Sequence, residues 1–178
     1  ILGSRGLMST AWPIDHAPRD RRVPLISAIM GECFGLPSWN AATSDIVIQV
    51  RGTVYAVGGA SIIAVATGEQ VTDQELGGWA LHARTTGAVD LFAKDDQECL
   101  ALIRRALSYL PSHAGALPPP APAPDPALHD GEQLYELVPA DVRQGYDMRL
   151  LLERLCDPDS LLELKPEYDG SLVTALAR

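Results

Sequence analysis

Several things that would announce a function are scarce or missing in this sequence. Cysteine occurs three times, at Cys33, Cys99 and Cys156, an odd and widely spaced set without a Cys-x-x-Cys pair. Such a set supports neither a disulfide framework nor a thiolate metal site, and it reads as reduced thiols in a cytoplasmic protein. The four histidines, His16, His82, His113 and His129, have no spacing that suggests shared metal ligands, so no metal is expected. No apolar run approaches the ~20 residues of a membrane span, and no charged-then-apolar leader opens the chain. Positive charge is short too. Fourteen Lys and Arg against 23 Asp and Glu leave a net charge of −9. The densest basic group, Arg19-Asp20-Arg21-Arg22, carries an acid inside it, which argues against nucleic-acid binding. There is no Gly-x-Ser-x-Gly elbow, no phosphate-binding Walker loop and no Gly-x-Gly-x-x-Gly.

What remains is a globular composition. The 178 residues are 47% apolar and 21% charged, enough for one ordinary domain and a short second piece. A chain of this size buries about 70% of its unfolded surface and needs no staple. It begins with Ile1 rather than Met, which suggests a piece of something longer. Residues 1–110 hold eleven acids and nine bases, whereas residues 111–178 hold twelve and five. Between these halves lies Pro111–Pro126, with seven of the fourteen prolines. Proline fixes φ and removes an amide donor, so this stretch reads as an extended, solvated linker.

Before the linker, apolar β-rich runs alternate with helical patterns. Val23–Met30, Asp45–Val50, Thr53–Val57 and Gly87–Phe92 read as strands. Ala60–Thr67 reads as a helix closed by Gly68, and Thr72-Asp-Gln-Glu75 has the form of a capping box that opens another. Asp95-Asp-Gln-Glu98 starts a longer helix reaching about Leu110, with Leu100, Ile103, Leu107 and Leu110 as its expected apolar stripe. This alternation predicts an α/β fold. After the linker, Tyr146–Leu155 is amphipathic, and Leu161–Leu164 and Leu172–Ala175 look like strands opening a second sheet.

With no obvious reactive side chain, catalysis would have to rest on backbone donors. The segment Gly31-Glu-Cys-Phe-Gly-Leu-Pro-Ser-Trp39 follows the first buried strand. A strand running through a glycine turn into a helix exposes N–H groups that can hold a developing oxyanion, at about 3 kcal/mol per donor. Gly35 and Leu36 would supply those amides, and Pro37 suits a first helical turn. Cys33 reads as packing, because nothing beside it would depress its pKa. His82 and Arg84 read as ordering the turn before the next strand, and Trp12, Trp39 and Trp79 as core or interface.

Longer segments carry a resemblance. Arg22-Val-Pro-Leu-Ile-Ser-Ala-Ile-Met-Gly-Glu-Cys-Phe-Gly-Leu36, Arg51-Gly-Thr, Ala66-Thr-Gly-Glu-Gln-Val-Thr, Glu75-Leu-Gly-Gly, His82-Ala-Arg-Thr-Thr-Gly-Ala-Val-Asp and Leu137-Val-Pro-Ala-Asp-Val-Arg-Gln-Gly-Tyr-Asp-Met-Arg149 follow one another in order. Together they resemble the β-type carboxyltransferase subunit of biotin-dependent acyl-CoA carboxylases, in the crotonase-like superfamily. The resemblance implies a partial crotonase/ClpP-like ββα superhelix. Residues 1–110 correspond to the latter part of a first such domain, 111–133 to a proline-rich crossing, and 134–178 to an interdomain segment and the start of a second domain. It further implies carboxyl transfer from carboxybiotin to the α carbon of an acyl-CoA. Gly35 and Leu36 would form the first-domain oxyanion hole, with Gly31, Cys33, Phe34, Ser38, Gly77 and Gly78 near the substrates. Biotin would arrive on a carrier module, loaded by a biotin carboxylase module, and the chain would form homo-oligomers or pair with a complementary carboxyltransferase segment. Where the family has two adjacent glycines, this sequence has Gly35-Leu36-Pro37, which narrows the approach. A biotin-dependent decarboxylase subunit and a non-catalytic scaffold paralogue are the alternative readings.

Overall fold

A computed structural model describes residues 23–121 and 131–178. The N-terminal residues, with His16, Trp12 and the Arg19–Arg22 group, and most of the later half of Pro111–Pro126 lie outside the described residues. The chain opens with β1 (Ile26–Ile29), β2 (Glu32–Phe34), α1 (Leu36–Ala42), β3 (Ile46–Val50) and β4 (Val54–Ala56). Then come α2 (Ala60–Thr67), α3 (Asp73–Gly77), the short α4 (Trp79–Leu81) continued by a π-type turn over His82–Thr86, β5 (Leu91–Ala93) and α5 (Asp96–Tyr109). Beyond the crossing are α6 (Gly131–Leu137), α7 (Met148–Leu155), β6 (Leu162–Leu164) and β7 (Thr174–Leu176).

The strands explain the topology. β1, β3 and β5 form a parallel sheet in that order, and β2 and β4 form a second parallel pair. Parallel neighbours need a crossover. Here each crossover adds a strand to the other sheet and then a helix, so the chain winds as a spiral of β–β–α turns. All five residues of β3 are buried, as expected of a strand covered on both faces. Ile46, Ile48 and Val50 join Leu91, Ala93, Cys99, Ala106 and Leu162 in the main core. From the opposite face, Val47 packs with Ile29, Ala41, Tyr55 and Val89, following the two-residue alternation of a strand. Gln49, on that second face and fully buried, donates through Nε2 to the carbonyls of Thr53 (3.2 Å) and Gly77 (2.9 Å).

Helix α5 corrects the expected stripe. Its core line runs through Cys99, Leu102, Ile103, Ala106, Tyr109 and Leu110, whereas Leu100 and Leu107 are exposed. The small Cys99 and Ala106 let the helix approach β3 and β5 closely, and that turns the two leucines about 100° away from the core. Its start matches expectation, since Asp95 caps it by accepting from the Glu98 amide at 2.8 Å. The capping box at Thr72 and Glu75 is formed in both directions, and α2 spans Ala60–Thr67 with Gly68 closing it.

Three other expectations shift. Residues 32–34 form a strand rather than part of a turn, because they pair in parallel with Val54–Ala56. The strand expected over Gly87–Phe92 shortens to Leu91–Ala93, since the π-type turn and left-handed Gly87 occupy the approach to it. Helix α6 begins at Gly131, inside the span read as linker.

The segment after the crossing is docked on the first core. β6 and β7 pair antiparallel, and Leu162, Leu164 and Leu176 pack into the main cluster. Arg105 donates to the carbonyls of Asp159 (3.1 Å) and Leu161 (2.8 Å), and the Tyr109 hydroxyl donates to Ser160 O. Arg178 lies over the Tyr109 ring, donating to Pro119 O at 2.8 Å and to Ser108 O. Lys165 donates through its backbone N–H to Asp90 O (2.7 Å) and through Nζ to Gly87 O (2.6 Å), while the Tyr168 ring packs on Gly87. Among the described residues no helix is long and apolar enough to cross a membrane.

Candidate active-site cleft

The turn proposed to hold an oxyanion is built as the sequence suggests, but its donors are distributed differently. β2 ends at Phe34, Gly35 sits at φ 66° and ψ −131°, and α1 begins at Leu36. A side chain would strain that backbone, so the position calls for glycine. The Gly35 N–H donates to Val57 O at 3.0 Å. It is therefore engaged in backbone pairing, whereas the expected Gly35–Leu36 hole needs both amides free. The Gly35 carbonyl accepts from the Ser38 and Trp39 amides (3.1 and 3.3 Å) and from Ser38 Oγ (2.7 Å). Pro37 has no N–H. The Leu36 amide, at the first helical position, has no acceptor within its helix, and none among the described residues. One donor remains where two were expected.

A cleft of about 390 Å³ lies beside this turn. Its walls come from α1 (Ser38, Trp39, Ala42), β4 and the loop after it (Tyr55, Val57, Gly58), α2 (Ile63), and the 76–88 region (Leu76, His82, Ala88). Of the eight site residues read from the sequence, Ser38 alone lines it. Gly31 is exposed between β1 and β2, its carbonyl accepting from the Val54 amide at 3.4 Å. Phe34 places its ring beside Gly59. Cys33 is half-buried on β2, and burial pushes its thiol pKa up, opposite to what a nucleophile needs.

Gly77 and Gly78 are packing positions. A Cβ on Gly77 would overlap the Tyr55 carbonyl, and one on Gly78 the Gln74 carbonyl. Gly77 thus lets α3 lie directly on β4, while its own carbonyl accepts from buried Gln49. Helix α2 starts where the Asp73 carboxylate accepts from the Ala60 amide at 2.6 Å.

The groups that shape the cleft were not read as site residues. The Tyr55 hydroxyl donates to Ser38 O at 3.2 Å. His82 Nε2 donates to Tyr55 O at 2.6 Å, so its Nδ1 accepts from Thr86 Oγ1 at 2.8 Å. That hydroxyl in turn accepts from the Ala88 amide at 3.2 Å. His82 is buried and fixes the turn 82–88 to β4, the ordering role expected of it. Desolvation raises the Tyr55 phenol pKa, with Cys33 and Asp90 adding to it. Ser38, Tyr55 and His82 in the wall are thereby paired internally, and most of the remaining lining is apolar. The His-x-x-x-Thr spacing, one helical turn apart, was the signal available in the sequence. Arg84 pairs with Glu167 at 2.6 Å and lies 5.2 Å above the Trp79 ring, which stacks on Phe92.

A spiral of parallel β–β–α turns, with a strand–glycine–helix turn beside an apolar cleft, defines a crotonase-like α/β protein. Residues 15–178 match the carboxyl transferase domain family, and the chain belongs to that family. It is 34% identical over 160 residues to the methylcrotonoyl-CoA carboxylase β chain, mitochondrial, of Dictyostelium discoideum, covering 89% of this chain and 27% of that one. It is 32% identical over 157 residues to the methylmalonyl-CoA decarboxylase subunit α of Propionigenium modestum, covering 88% and 30%. Among solved structures, the transcarboxylase 12S hexamer with hydrolysed methylmalonyl-coenzyme A bound superposes with a TM-score of 0.83 at 32% identity, covering 89% of this chain and 31% of that one. The chain thus spans a little under a third of the length of the relatives it matches.

Proposed function

We propose that this chain is the carboxyltransferase component of a biotin-dependent acyl-CoA carboxylase, moving a carboxyl group from carboxybiotin to the α carbon of an acyl-CoA. The observation that carries the reading is the superposition on transcarboxylase 12S over 89% of the chain. On this reading residues 1–110 are the latter part of a first crotonase-type domain and 134–178 lead into a second. Biotin, bound to a separate carrier and loaded by a biotin carboxylase, supplies the carboxyl group. At the turn the residues offer a carbonyl oxygen one donor rather than two, because the Leu36 amide is the one left without an acceptor. This chain's own contribution is then to offer that amide to a carbonyl oxygen, to hold an uncharged acyl portion against Trp39, Val57 and Ile63, and to keep water from it. A cytoplasmic location is part of this reading, supported by three cysteines that form no disulfide.

The test is acyl-CoA-dependent release of carboxyl from free carboxybiotin by the full chain. Turnover is expected, and Leu36→Pro should lower it by ~10²–10³-fold, the usual effect of removing one oxyanion donor. Proline suits the first helical position, so α1 should persist. Release that does not depend on acyl-CoA, or that Leu36→Pro leaves unchanged, overturns the proposed role. The likeness to the Propionigenium protein favours a second reading, in which carboxyl transfer runs in the decarboxylating direction. Net production of carboxybiotin from a carboxylated acyl-CoA would select it.

A further inference from the structure

We propose that Gln49 is a positioning residue for the cleft: its side-chain amide keys the corner between α3 and α4 from which Leu76 and His82 face the ligand. That an acyl-CoA is the ligand rests on the carboxyltransferase reading; the keyed corner itself does not.

β3 is otherwise aliphatic, with Ile46, Val47, Ile48 and Val50, and it is buried along its whole length. Gln49 interrupts that run with a fully buried amide. Its Nε2 carries two protons and finds two carbonyls, Thr53 O and Gly77 O. That fixes the orientation, because a reversed amide would set its oxygen against both carbonyls. Oε1 is left over. Among the described residues it is the one buried side-chain nitrogen or oxygen without a hydrogen-bond partner. A half-satisfied amide fills a core less well than an apolar side chain of the same shape. Packing therefore does not account for glutamine at this position. The carbonyls it grips do.

Of the two, Thr53 O has a second donor, Gln74 Nε2 at 3.2 Å. Gly77 O is the contact that sets Gln49 apart. It lies at a corner: α3 ends at Gly77, Gly78 is extended at φ −70° and ψ 156°, and α4 starts at Trp79. Neither glycine has a side chain with which to hold the angle. Neither has room for one, since a Cβ on Gly77 would overlap Tyr55 O and one on Gly78 would overlap Gln74 O. The angle has to be set from outside, and Gln49 reaches the corner from the sheet beneath, at 2.9 Å. The chain before the corner brings Leu76 to the cleft wall, and the chain after it brings His82. His82 is itself tied to the junction, its amide donating to Gly78 O at 3.4 Å and its ring to Tyr55 O at 2.6 Å. A shift at Gly77 O thus moves both walls. The π-type turn that follows is a form of helix that recurs at functional sites.

Amide hydrogen exchange and butyryl-CoA binding, measured on the full chain with and without Gln49→Met, test this. Methionine fills the same space and donates nothing. The variant is expected to keep its thermal midpoint and to exchange the amides of residues 76–86 several-fold faster. It should also bind butyryl-CoA several-fold more weakly, with exchange in α5 unchanged. Ile48→Ala, on the other face of the same strand, supplies the pattern of a packing role: faster exchange throughout and a lower midpoint. The inference is overturned if Gln49→Met reproduces that global pattern, or if exchange over 76–86 does not change. It is overturned as well if the corner loosens while the affinity of a binding-competent protein stays the same. A wild type that binds no butyryl-CoA, beside a variant whose corner has loosened, sinks the carboxyltransferase reading and leaves the keyed corner standing.

Discussion

Helices α2 and α5 make an instructive pair. α5 is the more polar, with acids in its first turn and Arg104 and Arg105 along it, yet it buries Cys99 and Ala106 and packs Leu102, Ile103 and Leu110 on the sheet. α2 is almost entirely apolar and buries nothing. Apolar content therefore says how much a helix has to gain from cover. Position in the spiral says whether this chain provides that cover. α5 lies across β3 and β5, while α2 lies on the rim of the cleft, where none of its residues is buried by the described residues.

The contrast can be broken by substitution, beginning with the sheet beneath α5. Ile48→Ala removes a fully buried side chain from the middle of β3 and should cost about 2–5 kcal/mol in denaturant unfolding. Enlarging one alanine in each helix sharpens the comparison. Ala106→Leu forces bulk between α5 and the sheet and should cost about 1–3 kcal/mol. Ala66→Leu, on exposed α2, should stay within about 0.5 kcal/mol when measured the same way. Equal effects would mean that α2 is as enclosed as α5.

The smallest expected effect concerns the helix start between them. The Glu75 carboxylate accepts from the Thr72 amide and hydroxyl, at 2.7 and 2.8 Å, and these bonds hold its pKa below the usual carboxylate value. A group lowered on folding stabilises the fold above its unfolded pKa and loses that contribution as pH falls through the folded one. The thermal midpoint of Glu75→Ala should therefore lie below that of the wild type at neutral pH. The gap should close as the solution is acidified past the glutamate range. A gap independent of pH would assign the effect to packing.

Much of the fold was legible because it is written in local signals. The extents of α2 and its Gly68 cap, the Thr72–Glu75 box and the Asp95 cap each depend on residues within one turn of chain. What escaped depends on partners distant in sequence. Residues 32–34 become a strand only because Val54–Ala56 lies alongside, and α5 rotates its leucines outward because β3 and β5 accept small residues best. The site divides in the same way. Glycine at the strand–helix turn was readable, since positive φ demands it. That the Gly35 amide is taken by Val57 was not, and neither was the bridge from His82 through Tyr55 to Ser38. Each joins residues more than fifteen positions apart.

The brace behind the cleft has a consequence of its own. The turn 82–88 faces the cleft on one side, and on the other it is held through Gly87 by Lys165 and Tyr168. A molecule lodged in the cleft and the hairpin beyond it therefore lean on opposite sides of one thin partition. Linkage makes such a relation reciprocal. If a lodger firms that partition, it must by the same amount make the hairpin harder to peel away.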